Sequence, residues 1–206
     1  MTPSLRLNIF IDFWNFTLLL KKHDPHFLVD WFKVASVFTR RAGILLETIQ
    51  PDISITYQTC HVIGSYGPND VKLESWSKNT LSRIPGCRVN FLRRQKQKTA
   101  FCCTGSEHHE LINCPTCGEP MLGYKEKGVD TTIAITMLRE AWENLYDIAI
   151  LVSSDKDFIP AVEYLHHLSK RCIHAGFSGW GNELAAASWA SLNINNFSME
   201  FTRSNN

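Results

Sequence analysis

Nowhere in the 206 residues does an apolar run approach the ~20 that a helix needs to cross a bilayer, so no membrane contact is expected. A signal-peptide layout is missing too. Met1-Thr2-Pro3-Ser4-Leu5-Arg6 leads straight into a strand-like segment, and a cytoplasmic location is the expectation. Charge of one sign is not in excess. Lys and Arg number 21 against 20 Asp and Glu, a net charge of +1, so any nucleic-acid contact has to come from local patches. No Gly-x-Gly-x-x-Gly follows the first apolar segment, which argues against hydride transfer on a dinucleotide. Repeats and low-complexity stretches are absent, and the length suits one α/β domain with at most a small insertion. Cysteine is sparse outside one stretch. Four of the seven fall between Cys102 and Cys117, and in a reducing compartment they read as thiols or metal ligands, not disulfides.

What is present alternates between buried-strand and amphipathic-helix patterns. Strands are expected at Leu5–Ile11, Ile53–Ile63, Cys87–Leu92, Asp147–Val152 and Arg171–Ala175, with a last extended piece over Leu192–Met199. Helices are expected from Asp30 as N-cap through Leu45, and over Asn69–Arg83, Val129–Leu145, Ile159–Leu168 and Asn182–Ala190. This alternation predicts a mostly parallel sheet with helices on both faces. Residues 99–126 carry no clear period and read as an insertion.

In such a sheet, ligands bind beyond the carboxyl ends of the strands. The first strand ends Phe10-Ile11-Asp12. The cleanest strand runs into Ser153-Ser154-Asp155-Lys156-Asp157. Asp130 opens the helix that follows Gly128. Carboxylates gathered at one edge repel one another, and a hard divalent cation relieves this; oxygen ligands suit magnesium or manganese. Such an ion lowers the pKa of bound water and screens charge on a phosphoryl oxygen, the chemistry of phosphodiester hydrolysis. Each aspartate also has a plain structural role, Asp12, Asp155 or Asp157 as caps and Asp130 as a charge at a helix start. It is the convergence of three segments that favours a site. A haloacid-dehalogenase phosphatase would need an aspartate two residues after Asp12, where Trp14 stands, and a TOPRIM domain would want glutamate at Asp12.

Phe10-Ile11-Asp12-Phe13-Trp14-Asn15, Glu126-Lys127-Gly128-Val129-Asp130 and Ile150-Leu151-Val152-Ser153-Ser154-Asp155-Lys156-Asp157-Phe158 together resemble the NYN domain, a PIN-like ribonuclease group that includes LabA-like, DUF88-type proteins. The resemblance covers nearly the whole chain in the expected order. It implies a PIN-like Rossmannoid α/β/α fold over residues 1–200 and a magnesium- or manganese-dependent endoribonuclease acting on single-stranded or looped RNA. Asp12, Asp130, Asp155 and Asp157 would be catalytic, with Asp12, Asp130 and Asp155 at the metal. Asn15 would orient Asp12 or a phosphate, and Ser153 would contact substrate. Two positions depart from the family pattern: Thr136 stands where a further acidic residue is common, and Ser154 replaces the glycine of Ser-Gly-Asp. The first supports an alternative, a weak or inactive RNA-binding or assembly module.

Cys114-Pro115-Thr116-Cys117-Gly118 has the spacing of half a zinc knuckle. The doublets Cys102-Cys103 and His108-His109 would supply the other half. Cys103 and His109 are favoured, with their neighbours close alternatives. Four protein ligands would make the zinc structural and fasten the 99–126 insertion. Arg94, Lys96 and Lys98 would share a face if extended, either to hold an RNA backbone or as a charged edge. Trp14 is read as a base-stacking residue or as core; Trp76, Trp142, Trp180 and Trp189 as packing residues; and Cys60, Cys87 and Cys172 as buried thiols. Homo-oligomerisation is left open.

Overall fold

The computed structural model describes residues 4–98, 100–102, 109–111 and 113–203. In chain order the elements are β1 (Ser4–Asp12), α1 (Phe13–His23), α2 (Trp31–Ile49), β2 (Ser54–Tyr66), α3 (Val71–Asn79), β3 (Cys87–Arg93), β4 (Gln95–Lys98), β5 (Ala100–Cys102), β6 (His109–Leu111), β7 (Leu122–Lys125), α4 (Val129–Trp142), β8 (Ile148–Val152), α5 (Ile159–His167), β9 (Arg171–Gly176), α6 (Asn182–Ala187) and β10 (Ala190–Asn193). Six strands form one sheet in the order β10-β9-β8-β1-β2-β3, and every ladder in it is parallel.

Alternation along the strands builds two cores. Leu7, Ile9 and Ile11 of β1 join Ile148, Ile150 and Val152 of β8 on one face, covered by α1, α2 and the C-terminal residues Phe197 and Phe201. Phe10, Ala149 and Leu151 point the other way, beneath α4, α5 and Leu184 of α6. All five residues of β8 are buried, as a central parallel strand covered on both faces requires. The result is the three-layer α/β/α arrangement expected from the alternation. Among the described residues no helix is long and apolar enough to cross a membrane.

The chain leaves β1 towards β2 and β3, then returns to the other side of β1 for β8, β9 and β10. The order therefore reverses between β1 and β8. At such a switch point the loops leaving two adjacent strands diverge and open a crevice at the carboxyl edge.

Several elements differ from expectation. The helix α1 was not anticipated; Phe13, Trp14, Phe16, Leu18, Leu19 and Leu20 crowd its first turns and blur the 3.6-residue period. The segment after β10 is not extended but forms two 3-10 turns, Ile194–Asn196 and Ser198–Phe201, which tuck Phe197 and Phe201 under α2. Likewise α3 stops at Asn79 and gives way to a 3-10 turn over Leu81–Arg83. Trp142 is not a packing residue: it is 73% exposed at the end of α4. An antiparallel ribbon of β4 and β7 forms the foot of the inserted segment, so regular structure enters it from Gln95.

Candidate active site

Asp12 is the last residue of β1 and the N-cap of α1. Its Oδ1 accepts the Asn15 backbone N–H at 3.1 Å, so the capping role and a site role fall on one side chain. The Ser153 hydroxyl donates to Asp12 Oδ2 at 3.5 Å from the neighbouring strand end. At 6% exposure the carboxyl is almost out of solvent.

The turn after β8 is pinned from several sides. Ser154 N–H donates to the Asn15 side-chain carbonyl at 2.9 Å, and Asp155 N–H to Ser153 Oγ at 3.2 Å. Asp155 in turn caps the 3-10 turn Lys156–Phe158 through a 2.9 Å bond from Asp157 N–H to its Oδ1. Behind the turn, the buried His174 of β9 bonds the Ser153 carbonyl through Nε2 at 2.9 Å. Burial holds the His174 pKa below its ordinary value, so the neutral ring donates this bond. Gly181, at φ +71°, lies against Ser154; a Cβ there would stand 2.9 Å from Ser154 Cα, so the loop can approach only as glycine.

Asp130 enters on the exposed first turn of α4, after Gly128 at φ +84°. The structure thus brings Asp12, Asp130, Asp155 and Asp157 to one edge. Burial pushes the Asp12 pKa up to about 7, against the Asn15 N–H, and the charges of Asp130, Glu126 and Asp155 raise it further. The Asp130 pKa is also raised, first by desolvation and then by Asp155, Glu126 and Asp157. Among the described residues none of these four aspartates has a cation within ion-pair distance.

Glu126 is the functional candidate that sequence reasoning passed over. It stood within a quoted motif, but as the residue before Lys-Gly-Val-Asp it carried no periodic or capping signal. It accepts a hydrogen bond from the buried Ser65 hydroxyl of β2 and lies 3.9 Å from the Arg94 guanidinium. Arg94 also donates to Ser65 Oγ at 3.0 Å and sits 5.1 Å from the Trp14 ring centroid, while Trp14 Nε1 donates to the Ser65 carbonyl at 2.7 Å. Arg94 therefore turns inward onto the acidic edge, whereas Lys96 is exposed on β4; the Lys98 side chain lies outside the described residues.

Hard oxygen donors fit a hard divalent ion. As placed, and among the described residues, no three His, Cys, Asp or Glu side chains form a group close enough to hold one ion between them.

In the insertion, Cys114 and Cys117 lie on a tight turn closed by Gly118 N–H to the Cys114 carbonyl at 2.9 Å, with Gly118 at φ +75°. Backbone N–H groups of Cys117 and Thr116, with the Cys117 thiol, bring the Cys114 thiol down to about 7. A thiol poised near its thiolate suits zinc. Cys103 and His108 lie outside the described residues, as do the side chains of Cys102 and His109.

A crystal structure of a protein of unknown function from Vibrio parahaemolyticus is similar in fold, with a TM-score of 0.58 at 16% identity over 97% of this chain and 96% of that one. No curated protein matches the sequence. Residues 6–192, which include every aspartate of the acidic edge, match the family described as the NYN domain. The chain belongs to the NYN domain family, a nuclease-related group with a PIN-like fold whose members generally bind RNA.

Proposed function

We propose that this chain is a metal-dependent endoribonuclease that hydrolyses RNA phosphodiester bonds at the Asp12, Asp130, Asp155 and Asp157 edge. One observation carries the reading. Carboxylates converge at the β1–β8 switch point with, among the described residues, no cation within ion-pair distance of the aspartates, and Asp12 is buried among them, its pKa pushed up to about 7 first by burial and then by the neighbouring charges. Capping accounts for Asp12 and Asp155 one at a time but not for their convergence with Asp130 and Asp157, which a site that binds a cation and a phosphate does account for.

Asp12, Asp130 and Asp155 stand too far apart as placed to share an ion directly, and would draw together around a magnesium or manganese ion, which when bound supplies screening of phosphoryl charge and a lowered pKa for bound water. The protein's own contribution is orientation. Ser153 and Asn15 fix Asp12, the Asp157 N–H fixes Asp155, and the Asn15 carbonyl holds the turn against α1. Arg94 and Lys96 would meet the RNA backbone. In the inserted segment, residues 99–126, Cys114 and Cys117 would hold a structural zinc together with Cys103 and His109, within a single domain spanning residues 1–200.

The alternative, an inactive RNA-binding module, rests on Thr136. Six residues along a helix is about 9 Å and about 240° of rotation, so Thr136 does not share the face of Asp130. The Asp130 edge does not depend on it. Purified protein with manganese and labelled RNA separates the readings. Wild type is expected to cut, and Asp12→Asn and Asp155→Asn are expected not to. RNA bound but left intact by wild type would select the inactive module.

A further inference from the structure

Beside the acidic edge, between the first turns of α1 and α3, lies an aromatic cleft of about 730 Å³. Its walls are Phe13, Trp14, Trp31 and Trp76. Phe13 and Trp31 stack at 5.6 Å with 20° between their planes, and Trp31 meets Trp76 edge-on at 5.8 Å. The rim carries Lys21, Lys72 and Arg203, none of which is in an ion pair among the described residues. Asp70 also lines it, with Oδ2 occupied by the Gly67 N–H at 2.7 Å.

We infer that this cleft is a base-binding subsite, which takes an unpaired nucleobase of the same RNA strand that crosses the acidic edge; the inference rests on the RNA-cleaving reading. Three features point to this occupant. The cleft adjoins the site without sharing its carboxylates: Phe13 and Trp14 directly follow Asp12, and Trp14 is tied through Ser65 to Glu126. Its size lies in the range of pockets that enclose small organic ligands. Its chemistry is that of single-strand recognition, with the half-buried Trp14, Trp31 and Trp76 for a base and, among the described residues, unpaired cations for the flanking phosphates. A base inside a duplex could not reach these walls, so the cleft selects single-stranded or looped RNA. A second cleft of about 610 Å³ lies on the other flank of α1 and reaches Asp155, but it holds a single aromatic residue, Trp180.

The test uses the full chain carrying Asp12→Asn, so that the probe is not cut, and a uridine dodecamer containing one 4-thiouridine. Photocrosslinks are expected on peptides holding Trp14, Trp31 or Trp76. Adding Lys21→Glu with Lys72→Glu, both exposed, is expected to weaken dodecamer binding roughly tenfold or more. Arg83→Glu with Arg139→Glu, both exposed and neither lining the cleft, carries the same change of −4 in net charge and is expected to change binding little. Trp76→Leu should lower the crosslink yield wherever the thermal transition is retained. Crosslinks confined to other peptides, with affinity unchanged in the double lysine variant, would overturn the subsite and indicate that the cleft serves another partner. Failure of wild type to cleave RNA while crosslinks still map to the cleft would reject the nuclease reading and keep the subsite. Absence of both cleavage and crosslinking would reject both.

Discussion

Asp12 shows how one side chain can carry a structural and a chemical role that oppose each other. As an N-cap it stabilises α1 by satisfying the Asn15 N–H. As a buried carboxyl among like charges it resists ionisation, with its pKa pushed up to about 7 against about 4 in an unfolded chain. The folded state therefore holds this proton more tightly. The associated stability is complete below about pH 4 and is lost as pH rises through about 7. In metal-free protein, Asp12→Asn keeps the cap but removes the charge, so it is expected to raise Tm at pH 8 by on the order of 5 °C and to matter little below about pH 4. Manganese should raise the wild-type Tm at pH 8 but not that of the variant, and the variant should lose roughly 100-fold or more of its RNA cleavage. Equal pH dependence of Tm in the two proteins would refute the strained-carboxylate account. The aspartates were legible in the sequence because strand ends and helix starts are marked by pattern. Glu126 and Ser65 were not, because their nearness to the edge depends on how β2 and the β7–α4 connection come together, which no local period records.

Elements hold this edge together from a distance. The start of β1 is tied to the start of β8 by Arg6, which donates to Asp147 from Nε at 3.0 Å and from the terminal guanidinium at 2.9 Å. The Arg6 hydrogen bond holds the Asp147 carboxyl at about 2, well below its ordinary value. Here the sign is reversed: the stability is present above about pH 4 and lost as pH falls through about 2. Both side chains are partly exposed, so solvent screening limits the pair to about 1 kcal/mol. Asp147→Asn is expected to lower Tm by about 2–4 °C at pH 7 and to leave it nearly unchanged at pH 2, measured by calorimetry. The inserted segment calls for a different device, since its sequence carries no clear apolar period. Bound zinc of about one per chain is expected by elemental analysis, falling towards zero in Cys114→Ser with Cys117→Ser. A zinc-free wild type would leave those cysteines as plain thiols. The sheet strands were legible as apolar runs. The helix α1 was hidden because its apolar residues crowd more than one face, and the C-terminal 3-10 turns because three-residue periods are too short to show.

At the scale of the whole molecule, the strand order was the least legible feature. Alternating patterns imply a parallel sheet, but only the return of the chain to the far side of β1 places Asp12 beside Ser153 and Asp155. That arrangement sets how RNA can be attracted. With a net charge of +1, the molecule has no general pull on a polyanion, and the aspartates repel one. Binding must then rest on a few cations around the edge: Arg94, Lys96, Lys21 and Lys72. About three phosphate contacts on a single strand give a slope near −2 for log affinity against log salt, so affinity should fall roughly 20-fold between 50 and 200 mM salt. Lys96→Ala should make that slope shallower by about 0.7, because Lys96 is exposed and its contribution is purely ionic. Arg94→Ala should do more than change the slope, since Arg94 also pairs with Glu126 and packs on Trp14. Without it Glu126 joins the aspartates uncompensated, and the demand for a divalent cation should rise. Titrations of RNA binding against salt, repeated at two manganese concentrations, check both effects; a slope near zero would mean that the strand is held by stacking alone.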